Sequence, residues 1–184
     1  MVALAKKIFV TGEPGIGKTT LVSKVVYELK SLGYVVGGVL TRDVREKGVR
    51  VGFEILSLHD NVRGVLASVK VRGGPKIGKY YVNLNDLKNI FASSLLHAVN
   101  FSDIIVCDEV GPMELMSPEV RRAVEVVLSC DKPVLGSVHK RMRDPIIERI
   151  SSSPEIKVYE ITFENRNVLP KAIVEELVSS FKSV

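Results

Sequence analysis

The sequence predicts an α/β fold with three layers, in which helices cover both faces of a mostly parallel central sheet. Short β-rich apolar runs alternate with amphipathic helical runs along the chain, which is the pattern of such folds. The run 103–108 is apolar between its terminal acids, as expected for a strand that is buried on both faces. The length of 184 residues suits one well-filled domain, so we expect a single domain over residues 1–184.

Local signals set the predicted ends of the elements. Gly33 ends a helix whose apolar residues recur at helical spacing. Ser117 before Pro118, and Asp144 before Pro145, each pair an N-cap residue with a proline at the first helical position. Together these signals predict strands at 7–11, 35–41, 49–58, 62–71, 103–108, 133–138 and 156–162, and helices at 18–32, 84–99, 118–130, 145–151 and 170–182.

The segment of about 43–82 breaks the alternation of strand and helix. Its two β-rich runs are separated by the polar turn His59-Asp60-Asn61, which predicts a small antiparallel insertion. The tract 72–79 is rich in glycine and basic residues and predicts a flexible basic loop.

Residues 12–19 read GEPGIGKT and lie between the first predicted strand and the first helix. This is the phosphate-loop pattern, and a strand before it and a helix after it are the structural context that supports the assignment. Its glycines let the backbone N–H groups point inward around phosphate oxygens. Lys18 can reach the β- and γ-phosphates, and the Thr19 hydroxyl can ligate Mg²⁺. We therefore predict a P-loop NTPase (Rossmann-like) fold that binds a nucleoside triphosphate through Gly12, Glu13, Pro14, Gly15, Ile16, Gly17, Lys18, Thr19 and Thr20.

A second motif follows about ninety residues later, where an apolar strand ends in Asp108 and Glu109. An aspartate at this edge of the sheet can hold Mg²⁺ beside the phosphate loop. Successive residues of a strand face opposite sides, so Glu109 is expected to point differently and to polarise a water in line with the γ-phosphate. We predict Asp108 and Thr19 as metal ligands, and Glu109 and Lys18 as catalytic residues.

Composition restricts the class of protein. No apolar run is long enough to cross a bilayer and no signal peptide is visible before Gly12, so we expect a cytoplasmic protein. We also expect a monomer. Cys107 and Cys130 lie in apolar surroundings without a metal-binding spacing and are expected to be core residues. The net charge of +5 suits polyanionic partners, but the basic residues are scattered, so nucleic acid is an alternative that the sequence does not favour. The histidines at 59, 97 and 139 are dispersed and suggest no metal site.

The stretch DEVGPMEL, residues 108–115, together with GEPGIGKTT upstream, resembles the thermophilic nucleoside-triphosphatase family, also called cancer-related nucleoside-triphosphatases. The segments at 41–53, 78–80, 139–140 and 165–166 are similar to further family elements, so the resemblance covers nearly the whole chain. It implies Mg²⁺-dependent hydrolysis of ATP, GTP, CTP and UTP to the diphosphate and phosphate, with loose base preference.

Five further residues are weaker candidates, each with a plain structural alternative. Arg42 could sense the γ-phosphate as an arginine finger in cis, or be a surface charge. Lys79 could belong to a lid over the phosphates, and Glu114 could brace the metal site or cap a turn. Asn165 and Arg166 follow the last strand and could contact the base, or form a solvated loop.

We predict a broad-specificity NTP hydrolase, because a carboxylate that activates water is needed when no acceptor is supplied. Two alternatives remain open at this point. One is a P-loop kinase that acts on a nucleotide or a polynucleotide, and the other is a nucleotide-regulated RNA-binding module.

Overall fold

One nine-stranded sheet organises the chain, in the order β5-β6-β4-β3-β2-β7-β8-β1-β9. The structure is a computed structural model that describes residues 6–181. Its strands are β1 (Lys7–Thr11), β2 (Val36–Glu46), β3 (Val49–Ser57), β4 (Arg63–Ser68), β5 (Lys76–Ile77), β6 (Tyr80–Val82), β7 (Ile104–Val110), β8 (Val134–Val138) and β9 (Ile156–Glu160). Its helices are α1 (Lys18–Ser31), α2 (Leu84–Asp86), α3 (Ser93–Phe101), α4 (Pro118–Ser129), α5 (Pro145–Ser152) and α6 (Leu169–Ser179), with a π-helical turn (Leu87–Ala92) and a 3₁₀ turn (Glu114–Met116).

The five strands β2, β7, β8, β1 and β9 pair in parallel, and helices cover both faces of the sheet. Side chains of β1 show the two faces: Ile8 and Val10 join the core under α1 and α6, while Phe9 joins the core under α3, α4 and α5. All three are fully buried. The predicted three-layer α/β class is confirmed, and the carboxyl ends of the parallel strands meet at one edge.

The predicted antiparallel insertion is confirmed, but its pairing begins earlier, at Val39, and it contains two further short strands before it ends at Val82. Strand β2 does not end at Thr41; it continues to Glu46 and pairs with β3 through a turn at Lys47 and Gly48. Strand β4 then pairs with both β3 and β6. The tract 72–79, expected as a loop, contains the two-residue strand β5, because β6 offers it a partner.

Helix ends follow the capping signals. The N–H of Val120 donates to the Ser117 hydroxyl at 3.2 Å, and the N–H of Ile146 donates to Asp144 Oδ1 at 2.9 Å. Both predicted N-caps are therefore confirmed. The predicted helix at 84–99 runs on to Phe101 and includes the π-helical turn, and the predicted last residue of α6, Lys182, lies outside the described residues.

Within residues 6–181, no helix combines the length and the apolar character needed to cross a membrane.

Candidate functional site

The phosphate loop leaves the end of β1 and leads directly into α1. Gly15 has φ +81° and Gly17 has φ +109°, which residues with a side chain rarely adopt. Gly17 also occupies the N-cap position of α1 without a side chain to cap it, so the first N–H groups of the helix are available to an anion. The Lys18 ammonium donates to the Gly12 carbonyl at 3.3 Å. Backbone and side chain thus form a concentrated positive site at the sheet edge.

Asp108 lies opposite this loop, at the end of β7. The Thr19 hydroxyl donates to its Oδ2 at 2.9 Å, and the N–H of Thr41 donates to the same oxygen at 3.3 Å. The Ser137 hydroxyl donates to its Oδ1. The side chain is fully buried, and this burial raises its pKa although the three donors act in the opposite direction. Asp108 is therefore held in one orientation with the Thr19 hydroxyl beside it.

Two glutamates extend the acidic group along the cleft. Burial raises the pKa of Glu109, while the Lys18 ammonium partly offsets the effect and Asp108 adds to it. Glu114 is 6% exposed, and its pKa lies well above the usual range because of burial and the nearby charges of Glu109 and Asp108. Three carboxylates share this space with the single ammonium of Lys18, so a cation bound here would relieve their repulsion.

The phosphate loop lies at the centre of a cleft of about 1400 Å³. The loop residues on its wall are Pro14, Gly15, Gly17, Lys18, Thr19 and Thr20, together with Glu109 and Glu114. One arm of the cleft lies beside the start of α6 and is lined by Asn167, Pro170 and Lys171. The other arm lies on the side of β7 that carries the antiparallel strands, and its apolar wall consists of Phe53, Leu66, Ile77 and Met113.

Glu13 and Ile16 belong to the loop sequence but have other contacts. Glu13 accepts hydrogen bonds from Lys140 at 2.9 Å and from Arg141 at 3.0 and 3.1 Å, and Lys140 also donates to Glu160. Ile16 is buried in the core under α1. These residues anchor the loop to the rest of the fold, and neither is on the described cleft wall.

The weaker candidates separate into two groups. Arg42 and Glu114 line the cleft. Lys79 lies over the ring of Tyr80 and is not part of the described cleft wall. Asn165 closes its own turn, since its Oδ1 accepts from the Thr162 N–H at 2.8 Å and its Nδ2 donates to the Glu160 carbonyl at 2.8 Å.

Arg166 stacks on Phe163, with 4.9 Å from its guanidinium carbon to the ring centroid. Neither Asn165 nor Arg166 lines the described cleft, whereas the next residue, Asn167, does.

His139 is a cleft residue that the sequence presents only as one of three dispersed histidines. It follows β8, and its Nδ1 accepts from the N–H groups of Arg141 at 3.3 Å and Met142 at 3.1 Å. Because Nδ1 accepts, the proton of the neutral ring is on Nε2. Burial, Lys18 and Arg141 lower the pKa of His139, so the neutral donor form is favoured. Its position after a parallel strand, next to Lys140, was the signal available in the sequence.

Comparison with known proteins agrees with this geometry. The sequence matches the NTPase family model over residues 7–174. It is 42% identical over 176 residues to nucleoside-triphosphatase THEP1 of Thermofilum pendens, covering 95% of this chain and 97% of that protein. The THEP1 of Thermococcus kodakarensis is 39% identical over 184 residues, with 98% and 99% covered.

Two solved structures share the fold over nearly their whole length. THEP1 from the hyperthermophile Aquifex aeolicus superposes with a TM-score of 0.81 at 30% identity, covering 94% of this chain and 98% of that chain. The solution structure of a human cancer-related nucleoside triphosphatase gives 0.80 at 35% identity, with 96% and 99% covered. With this fold, these relatives and a phosphate loop facing buried carboxylates, the chain belongs to the THEP1 nucleoside-triphosphatase family.

Proposed function

We propose that this enzyme hydrolyses ATP, GTP, CTP and UTP to the diphosphate and phosphate, with Mg²⁺ as cofactor and little preference among bases. One observation carries the proposal. The buried Asp108 accepts a hydrogen bond from Thr19, and the next residue, Glu109, lines the same cleft as Lys18. The phosphate loop and Lys18 bind the β- and γ-phosphates. Glu109 orients a water toward the γ-phosphorus and takes its proton as the water oxygen bonds to that phosphorus. The bond from the γ-phosphorus to the bridging oxygen breaks, and the nucleoside diphosphate leaves with that oxygen.

The donor set suits a hard divalent cation. A hydroxyl from Thr19 and a buried carboxylate from Asp108 are oxygen ligands of the kind that Mg²⁺ prefers. Within residues 6–181, no three histidine, cysteine, aspartate or glutamate side chains could hold a metal by themselves. Mg²⁺ is commonly bound through one or two protein groups together with substrate phosphates, so this donor set fits. When bound, Mg²⁺ supplies charge neutralisation on the phosphate oxygens.

Loose base preference is supported by the arm of the cleft beside α6. Its polar residues, Asn167 and Lys171, are exposed, and Pro170 is largely buried and has no side-chain donor or acceptor. Strong discrimination requires buried polar groups that are left unpaired by the wrong ligand. Exposed side chains keep water as an alternative partner, so the four bases are expected to bind similarly.

The test measures steady-state phosphate release from the four nucleotides, with Mg²⁺ and with a chelator. The Glu109→Gln variant keeps size and polarity but cannot take a proton, so we expect release to fall by about 10²–10⁴-fold while nucleotide binding persists. Glu175→Gln, an exposed position on α6, is the matched control and should keep the wild-type rate. An undiminished rate in Glu109→Gln would remove Glu109 from the mechanism, and release unaffected by the chelator would remove the metal.

A further inference from the structure

The cleft around the phosphate loop is long and open. Its volume of about 1400 Å³ is larger than the roughly 300–1000 Å³ of a pocket for a drug-sized ligand. Two directions lead away from the phosphate loop, since the arm beside α6 and the arm beside the antiparallel strands lie on opposite sides of β1 in the strand order. With a nucleoside in the first arm, the second arm would be free for another ligand, beside Glu109.

We name the second arm the acceptor compartment and define it by Phe53, Leu66, Ile77 and Met113, with Glu109 and Glu114 at its inner end. The apolar side chains come from β3, β4, β5 and the segment after β7, and all four pack with the core under α3 and α4. Hydrolysis requires only a water at this place. An apolar wall assembled from four segments is suited instead to the hydrocarbon or ring portion of a small molecule.

The outer rim of the acceptor compartment is basic. Arg45 and Arg50 both bond to the single carboxylate of Asp43, at 3.2 Å and 2.7 Å, so two guanidinium groups share one negative charge. Arg50 also lies over the ring of Phe53, with 5.4 Å from its guanidinium carbon to the ring centroid. Arg42, on the same strand as Arg45, adds a further cation to the cleft wall. The rim therefore favours a ligand with a negative charge at its outer end.

We propose that the acceptor compartment binds a small alcohol with an apolar or ring body and an anionic group, and that the enzyme transfers the γ-phosphoryl group to its hydroxyl. This inference rests on the proposed function, because it uses the same phosphate loop and Glu109. The alcohol oxygen forms a bond to the γ-phosphorus, and the bond from that phosphorus to the bridging oxygen breaks. The hydroxyl proton goes to Glu109, and the nucleoside diphosphate leaves with the bridging oxygen. Water then takes the place of the alcohol only when the compartment is empty.

The first test uses γ-labelled ATP and three related probes: para-(hydroxymethyl)benzoate, benzyl alcohol and benzoate. We expect label on para-(hydroxymethyl)benzoate as its phosphate ester, less on benzyl alcohol, which lacks the anion, and none on benzoate, which lacks the hydroxyl. Benzoate should compete with transfer to the first probe. Label found only in free phosphate, at a release rate that the probes do not change, overturns the proposal while leaving hydrolysis established.

The second test uses a variant that fills the compartment. Ile77 is in the short edge strand β5 and is partly exposed, so Ile77→Trp adds volume there with little risk to the fold. We expect the ratio of label on the probe to label on free phosphate to fall by at least about tenfold. Val126→Trp, at an exposed position on α4, is the matched control and should keep the wild-type ratio. Equal ratios in the two variants would overturn the assignment of the compartment.

A binding readout separates this inference from the proposed function. In the ADP complex of the enzyme with labelled methionine methyl groups, adding para-(hydroxymethyl)benzoate should shift the Met113 resonance and leave that of Met116 in place. Met113 lines the compartment, whereas Met116 is not on the described cleft wall. A shift of Met113 without any phosphate release would mean that the proposed hydrolysis fails and the compartment stands. If Met113 does not shift and phosphate release is intact, hydrolysis stands and the acceptor compartment is overturned.

Discussion

At the scale of single residues, the site is defined by carboxylates that are buried at an energetic cost. Asp108 is compensated by three hydrogen-bond donors, of which Thr19 and Ser137 are side chains. Glu114 is also buried, yet it lies near two other carboxylates, and its pKa is raised well above the usual 4.5. Such groups reduce the stability of the fold and are typical of sites that perform chemistry or bind cations.

The stability that is lost by burying Glu114 can be measured through the pH dependence of unfolding. Its pKa is higher in the folded protein than in the unfolded chain, so the folded state loses stability as pH rises through the range in which Glu114 ionises. Glu114→Gln removes that ionisation. In the metal-free enzyme we expect the difference in Tm, variant minus wild type, to increase by at least about 2 °C between about pH 5 and pH 9. A difference independent of pH in calorimetry would show that Glu114 does not titrate on unfolding.

Ser137 is expected to act through Asp108 as a positioning residue. Its hydroxyl is fully buried and donates to the Asp108 oxygen that Thr19 does not contact. Ser137→Ala should raise the Mg²⁺ concentration for half-maximal phosphate release by about 10–100-fold, since partners of metal ligands commonly have effects of this size. Ser151→Ala, which removes a hydroxyl bonded to the Ile147 carbonyl on α5, is the control. An unchanged Mg²⁺ requirement in Ser137→Ala would contradict the assignment.

At the scale of elements, short local signals gave the most accurate sequence predictions. The caps at Ser117 and Asp144 involve residues two or three positions apart, so the sequence alone contains the interaction. The extension of β2 to Glu46 and the short strand β5 depend on partners distant in sequence. The π-helical turn at Leu87–Ala92 likewise lies between segments that each read as ordinary helix. Helical and strand periodicity carries no information on such partners.

The N-cap of α5 gives a prediction about stability. Asp144 caps the helix and also accepts two hydrogen bonds from Arg121, at 2.6 and 3.3 Å, which lower its pKa. Asp144→Ala should therefore lower the free energy of unfolding by about 2 kcal/mol at neutral pH. Because the folded-state pKa is depressed, this contribution is present above about pH 4 and is lost as pH falls further. Asp131→Ala, an exposed loop position, is the control in denaturant titrations, and an equal loss in both variants would argue against the cap.

At the scale of the whole molecule, the candidate site could be predicted where its residues are consecutive in sequence. The phosphate loop and the pair Asp108 and Glu109 are continuous motifs, so phosphate binding by the first and metal and water binding by the second could be predicted without the fold. His139 was not identified as a site residue although it follows a predicted strand, because the sequence does not show that β8 ends beside the phosphate loop. Met113 is in the motif 108–115, but its apolar partners in the cleft wall, Phe53, Leu66 and Ile77, come from segments distant in sequence. The same limit explains the stacking of His59 on His97, with ring centroids 3.9 Å apart, since the sequence shows these histidines as dispersed.

A whole-molecule prediction concerns assembly. One chain supplies the loop, the acidic residues and Arg42 on the cleft wall, so we expect a monomer that needs no arginine from a second copy. The rate of phosphate release per enzyme should then stay constant over about a hundredfold range of enzyme concentration, with a monomer mass in light scattering. Arg42→Lys tests the contribution in cis, and we expect release to decrease by about tenfold or more. A rate that rises with enzyme concentration would indicate a partner subunit.

The position of β1 in the sheet affects how the protein is made. This first strand pairs with β8 and β9, whose partner residues begin at Val134 and Ile156, so its neighbours are among the last segments to be synthesised. On the ribosome, the phosphate loop emerges early and remains attached to an unpaired strand for most of translation. We therefore expect nucleotide to stabilise the nascent chain only after β8 and β9 have emerged and can pair with β1.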